Sequence, residues 1–158
     1  MKAETQANAL ATLVQKKKQY PEYELTLPLF KIKQSFVKKM QKDDVLLVGL
    51  NHLDLRLLLE NKSCANVEIL REDNSQKIKI TYLDKDTLQQ GNTKKYETLK
   101  CSFGILQSRK LEVGYKVNIS QLNLQEVRLF VKEKNIADGR LVKVDDEIAI
   151  KITKVNNV

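Results

Sequence analysis

The chain has 158 residues, of which 42% are hydrophobic, with five Gly and two Pro. This composition excludes a disordered chain, and because no apolar run approaches the roughly 18 residues that a bilayer-crossing helix needs, we expect no transmembrane segment. The formal net charge of +8 is uneven: residues 1–42 carry nine Lys and three Glu (9 − 3 = +6), residues 43–95 sum to −1 (8 − 9), and residues 96–158 sum to +3 (11 − 8).

The N-terminal segment, residues 1–22, is basic, and residues 3–19 are predicted to form a peripheral helix because they contain few large apolar residues. Its only apolar run, Ala9–Val14, is too short for a signal peptide and is followed by Lys16–Lys18. Basic patches can bind phosphates, but nucleic-acid-binding sheets usually add exposed aromatic residues. Trp is absent and aromatic residues are 6% of the chain, so we expect no tight binding of DNA or RNA.

The chain contains an internal repeat. Residues 45–81 align without a gap on residues 117–153 at an offset of 72, and 12 of these 37 positions are identical, whereas chance gives roughly one in fifteen to twenty. Upstream, Tyr23–Ser35 aligns with Tyr96–Ser108 at an offset of 73 (96 − 23). The sequence is therefore a tandem duplication of a unit of about 60 residues.

The duplication predicts the domain organisation. Residues 23–83 form the first repeat, the polar residues 84–95 form a linker, and residues 96–158 form the second repeat. A β unit of about 60 residues is marginally stable alone. We therefore expect both repeats to share one core, with the strands near Leu53–Glu60 and Val127–Lys132 related by a pseudo-two-fold axis.

Each repeat is predicted to be a meander of short β-strands. The stretch HLDLRLLLE alternates, which places Leu53, Leu55, Leu57 and Leu59 on the core face. A short helix is expected at Phe36–Lys42. The fold class is thus mainly β.

One position breaks the alternation in both repeats. Leu58 and its equivalent Phe130 (58 + 72) place a large apolar side chain on the outward face of their strands. Isolated exposed apolar residues are common, but the coincidence in both repeats favours a contact position, either between the repeats or with a partner. We therefore expect Leu58 to bind a partner peptide, with Phe36 and Met40 beside it and Phe130 as the next candidate.

The sequence offers no recognisable active site. The only histidine, His52, is replaced by Leu124 in the second repeat, and no metal-binding or phosphate-binding motif occurs. Asp145 and Asp146 are predicted to occupy a hairpin tip. Cys64 and Cys101 do not occupy equivalent positions, which favours buried, reduced thiols over a disulfide. We therefore expect no catalytic residue, metal or cofactor, and a role in binding and assembly.

The C-terminal stretch EVRLFVKEKNIADGRLVKVDDEIAIKITKV resembles the end of a surface presentation of antigens (SPOA) domain. That family ends with an apolar strand, the pattern Ala-x-Gly-x-Leu-Val, a turn and a last strand. The matching residues here are Ala137, Gly139, Leu141, Val142, Ala149, Ile150, Lys151 and Ile152. At the Gly position a Cβ is expected to crowd a tight strand entry. The first repeat departs from the pattern, with Val67 in place of Gly139.

The resemblance implies a fold, a function and a location. Tandem SPOA domains form an intertwined, strand-swapped β pair in the cytoplasmic C-ring, or sorting platform, of bacterial type III secretion systems, peripheral to the membrane-embedded apparatus. Such a pair binds the N-terminal segment of the regulator (stator) protein of the secretion ATPase, and its second domain also pairs with a separately translated copy of itself. No small-molecule substrate is implied. Family members normally carry a longer N-terminal region, so the resemblance implies a fragment or short form.

Other functions remain open. Flagellar motor switch proteins carry related single domains, so a motor switch component is one alternative. A basic, β-rich nucleic-acid-binding protein that uses the N-terminal segment is the other. An enzyme with an unrecognised site is a third, less favoured, reading.

Overall fold

The computed structural model describes residues 20–84 and 96–156, which are mainly β; the predicted N-terminal helix and most of the predicted linker lie outside them. Within these residues the chain forms one short helix and eleven strands. In chain order they are β1 (Glu22–Thr26), β2 (Phe30–Lys33), α1 (Gln34–Lys39), β3 (Val45–Leu50), β4 (Leu55–Leu59), β5 (Lys62–Glu72), β6 (Ser75–Leu83), β7 (Tyr96–Gln107), β8 (Lys116–Asn118), β9 (Glu126–Val131), β10 (Lys134–Val144) and β11 (Glu147–Val155).

The strands form one open antiparallel sheet in the order β3-β11-β10-β9-β7-β1-β4-β5-β6-β8. The strand β2 continues the line of β1 and pairs with the first half of β7, while β1 pairs with the second half. The prediction of a mainly β fold is confirmed. The helix is six residues long. Within the described parts of the chain, no helix has the length and apolar character needed to cross a membrane.

The two repeats have closely matching strand arrangements. β5 and β10, like β6 and β11, have bounds that differ by the offset of 72. The pairing of β4 with β5 and of β9 with β10 has the same register, with Leu57 opposite Ala65 and Leu129 opposite Ala137, and each pair has an irregularity at the next position. The gapless alignment of this part of the sequence therefore reflects equivalent backbone geometry.

Several strands pair across the boundary between the repeats. β3 of the first repeat pairs with β11 of the second, β8 of the second repeat pairs with β6 of the first, and β1 and β2 both pair with β7. The first two pairings correspond to each other. Leu46 lies opposite Ile150, and Val117 lies opposite Ile78.

These pairings correct one detail of the sequence alignment. Val117 is equivalent to Leu46, at an offset of 71, and not to Val45; Leu46 and Val117 are buried, whereas Val45 is 45% exposed. The turns before β3 and β8 also correspond at an offset of 71. Asp43 N–H donates to Ile152 O in one turn, and its equivalent, Gly114 N–H, donates to Ile80 O in the other. The offset returns to 72 at β4 and β9. The segment that joins β8 to β9 is therefore one residue longer, relative to the aligned positions, than the segment that joins β3 to β4.

The helix α1 differs from its prediction at both ends. It runs from Gln34 to Lys39 instead of Phe36–Lys42. Met40 takes an extended backbone conformation (ψ 132°) and its side chain is buried in the core. Because a helical turn at this position would redirect that side chain, the helix ends at Lys39.

The core contains side chains from both repeats. Its fully buried members form a single cluster, which agrees with the expectation of one shared core. They include, from the first repeat, Leu25, Leu55, Leu57 and Ile80 and, from the second, Leu99, Leu129, Ile150 and Ile152. The predicted inward face of β4 holds at Leu55 and Leu57 but fails at Leu59, which is exposed. Leu59 ends its strand, and the next residues, Glu60 and Asn61, have left-handed backbones.

Gly139 lies where the backbones of β10 and β11 approach closely. A Cβ at this position would lie 2.9 Å from Lys151 O and would also clash with the Ile150 side chain. Gly139 lies inside β10 rather than at its start, but the predicted crowding is present. We expect Gly139→Ala to lower the free energy of unfolding by about 1–3 kcal/mol, the usual effect of overpacking. Urea denaturation measures this change, and an unchanged midpoint would show that the strands can separate freely here.

Candidate binding surfaces

Leu58, the leading candidate from the sequence, is not accessible. Its side chain is 1% exposed, although it lies outside the core cluster that contains Leu55 and Leu57. It occupies an interior strand of the sheet, opposite Glu24 on β1 and Ser63 on β5. Alternation separates the two faces of a strand but does not show which face solvent reaches. The prediction that Leu58 is an exposed contact position is therefore wrong.

Of the two residues predicted beside Leu58, Met40 is buried in the core, so its prediction as a contact position is also wrong. Phe36 is 36% exposed. Val37, its neighbour on α1, packs against the core, and α1 has no fully buried residue. The short helix thus turns Val37 inward and leaves Phe36 available to a partner.

Phe130, the last candidate, is half-buried at a charged cluster on the outward face of the second repeat. The Lys100 ammonium lies 4.9 Å from the centroid of the Phe130 ring, within cation–π range. Lys100 also forms an ion pair with Glu24 (Nζ–Oε1 2.7 Å) and donates to Asn61 Oδ1 (2.9 Å). These contacts fix one side of the ring.

A groove of about 450 Å³ lies beside Phe130, between β7, β9 and the loop at residues 121–123. Gly104 belongs to its wall and has a φ of +130°, and a Cβ there would lie 2.9 Å from Leu122 Cδ2. The apolar lining is Phe103, Ile105, Leu122, Val127 and Phe130, and the charged lining is Glu24, Glu126, Arg128 and Asp138. The three carboxylates and one guanidinium of the lining sum to −2 (1 − 3), and the Lys100 ammonium that pairs with Glu24 reduces this to −1, on a chain of net charge +8.

The strands at the two ends of the sheet order are β3 and β8. β3 contains no charged residue, and Val45 and Leu47 are 45% and 56% exposed. β8 is three residues long and includes Lys116. Charged or short edge strands discourage further pairing, whereas exposed apolar edges invite it. A bulge near Gly49 (φ +75°) limits the regular part of the β3 edge to Val45–Leu47.

Neither the groove nor the β3 edge was predicted from the sequence. The run VLLVGL has the continuous apolar character typical of a strand buried on both faces, so nothing in it marks an edge. The groove combines residues of β1, β7, β9 and β10, and only the order of strands in the sheet brings them together. A left-handed glycine at 104 is the one local feature that belongs to the groove.

The reactive side chains are dispersed. His52 is exposed, with a hydrogen-bond contact to Asn51, and residues 20–84 and 96–156 contain no group of three or more His, Cys, Asp or Glu that could hold a metal ion. Both cysteines are free thiols; burial raises the pKa of Cys101 to about 12, and burial followed by the charge of Asp84 raises the pKa of Cys64. Cys101 is fully buried as expected, but Cys64 is only half-buried.

No protein-family model matches the chain, and no curated protein matches it in sequence. The features that bear on function are therefore the duplication, the strand pairing between the repeats and two exposed surfaces. These surfaces are the β3 edge and the groove beside Phe130.

Proposed function

We propose that this chain is a structural component of the cytoplasmic sorting platform, or C-ring, of a bacterial type III secretion system, and that it acts by binding and not by catalysis. One observation carries the proposal: β3 pairs with β11 of the other repeat, and β8 pairs with β6 of the other repeat. Such reciprocal pairing supports a strand-swapped pair of SPOA domains, the arrangement that the resemblance of the C-terminal stretch implies.

The centre of the sheet adds support for an intertwined pair. Tyr23 lies opposite Leu106, and Lys33 lies opposite Tyr96. Under the offset of 73, Tyr23 corresponds to Tyr96 and Lys33 to Leu106, so the two pairings exchange places. The antiparallel ribbon that β1 and β2 form with β7 therefore has its own pseudo-two-fold relation. A pair built in this way has one continuous sheet and one core cluster, which suits a structural component.

The N-terminal segment of the ATPase regulator is proposed to bind at the β3 edge. A peptide that adds as a strand gains backbone hydrogen bonds from the edge and specificity from apolar contacts beside it. Val45 and Leu47 supply such contacts. The proposed peptide site is still in the first repeat, as predicted from the sequence. Leu47, which is exposed, replaces the buried Leu58 as its main apolar contact.

Leu47→Asp is expected to weaken binding of the regulator peptide at least tenfold. Burial of a leucine side chain contributes about 1.5–3 kcal/mol, and about 1.4 kcal/mol corresponds to a factor of ten in affinity. The measurement is calorimetric titration of a synthetic peptide with the sequence of the regulator N-terminus. Because Leu47 is exposed, circular dichroism should show an unchanged fold.

The matched control is Val113→Asp. Val113 is 62% exposed and lies in the loop before β8, at the opposite end of the sheet from β3. This variant should bind the peptide as the wild type does. Equal binding by folded Leu47→Asp would remove the β3 edge from the site, and failure of the wild type to bind the peptide would contradict the proposed partner.

A further inference from the structure

Phe36 has the surroundings of a docking residue. Lys39 lies three positions after Phe36 on α1, and residues three apart on a helix share a face; Lys33 is the last residue of β2, directly before the helix. The wider segment, residues 25–42, contains five Lys and no acidic residue. These lysines, at positions 31, 33, 38, 39 and 42, are all exposed. The exposed aromatic ring of Phe36 thus belongs to a segment of positive net charge.

The groove beside Phe130 has the complementary character. Its apolar lining can accept an aromatic ring, and its charged lining includes the exposed Glu126 together with Asp138. Glu24 is already paired with Lys100, and Asp138 Oδ1 accepts a hydrogen bond from Asn135 Nδ2 (3.3 Å), so Glu126 and the second oxygen of Asp138 are the acceptors for added lysines. Phe36 and the groove match in apolar character and in sign of charge.

Phe36 cannot reach this groove within its own chain. Gln34, at the start of α1, contacts Glu97 near the beginning of β7 (Nε2–Oε1 3.4 Å), whereas the groove is lined by Ser102–Ile105 further along β7. The five residue steps from Glu97 to Ser102, where the groove begins on β7, span about 17 Å of extended strand, and Phe36 is not among the lining residues. A rigid strand therefore keeps α1 and the groove apart, and the occupant must come from another molecule.

We propose that Phe36 of one copy inserts into the groove beside Phe130 of a second copy, with Lys33 and Lys39 near Glu126 and Asp138. The contact joins two different surfaces of the same chain, so it is heterologous, and repetition of it produces a closed ring or an open filament. The contact uses neither the β3 edge nor the regulator peptide, so its test is independent of the test of the proposed function.

The test is complementation between two variants of the full chain. Phe36→Asp removes the inserted ring and keeps the groove, while Phe130→Asp damages the groove and keeps the ring. Sedimentation velocity over a rising concentration series should show self-association of the wild type and only monomers of 18.2 kDa for each variant alone. An equimolar mixture should form a one-to-one dimer and nothing larger, because one functional ring meets one functional groove.

Two further measurements keep the outcome decisive. Tyr82→Asp changes an exposed aromatic residue outside both surfaces and should associate as the wild type does. If circular dichroism shows that a Phe variant is unfolded, Lys39→Glu and Glu126→Lys replace the pair, with the same loss alone and recovery on mixing. A wild type that stays monomeric, variants that still associate, or a folded mixture without a dimer would each overturn the proposal.

Discussion

Leu58→Asp is expected to abolish folding, whereas Phe130→Asp at the equivalent position of the second repeat is expected to leave the fold intact. Leu58 is fully buried on an interior strand. Loss of a buried leucine side chain removes about 2–5 kcal/mol, and an unpaired carboxylate in its place adds a further desolvation penalty. Domains are commonly stable by about 5–15 kcal/mol, so the sum removes much or all of that stability.

The reason for the contrast lies in the surroundings of Phe130. Its ring borders an open groove, and Lys100 lies over it. A carboxylate there can remain hydrated and has a cation nearby. Far-UV circular dichroism and urea denaturation of the two variants provide the measurement. A folded Leu58→Asp with near wild-type stability would contradict the burial of this side chain.

Leu57→Ala and Leu129→Ala are expected to destabilise one and the same unfolding transition. These leucines are equivalent in the two repeats, and both are fully buried in the common cluster. Each truncation should lower the free energy of unfolding by about 2–5 kcal/mol. Because the cluster is continuous, the unfolding of either repeat exposes the core of the other, so calorimetry should show a single two-state transition in both variants.

The contrary result is easily recognised. If the repeats had separate cores, the wild type would show two transitions, and each variant would move only the transition of its own repeat. The control is Leu59, an exposed residue at the end of β4, the strand that contains Leu57. Leu59→Ala should change the transition little.

Local sequence patterns predicted the parts of the fold that depend on local geometry. Alternation placed Leu55 and Leu57 on the core face, and the hairpin tip at Asp145 and Asp146 has the left-handed backbone that short polar residues tolerate. The repeat alignment predicted equivalent strands from β4 to β6 and from β9 to β11. These features depend on residues close in sequence or on comparison of the two repeats, so they can be derived from the sequence alone.

The binding surfaces could not be derived in the same way. Burial of Leu58 depends on the position of β4 inside the sheet, and exposure of Leu47 depends on β3 being the last strand. Burial of Met40 depends on where α1 ends relative to the core. The exposure of each of these side chains is determined by contacts between segments distant in sequence. Of the four predicted contact residues, Phe36 and Phe130 remain accessible to a partner.

The central claim is that the two repeats are one body held together by strands that pair across their boundary. It is tested most directly by cutting the chain between them, with a protease recognition site inserted among residues 85–95. Because β1, β2, β3 and β6 all pair with strands of the second repeat, the two fragments should remain associated. Light scattering after gel filtration should give the mass of the intact chain, with an unchanged circular dichroism spectrum. Separation into two folded fragments of about half that mass would contradict the account.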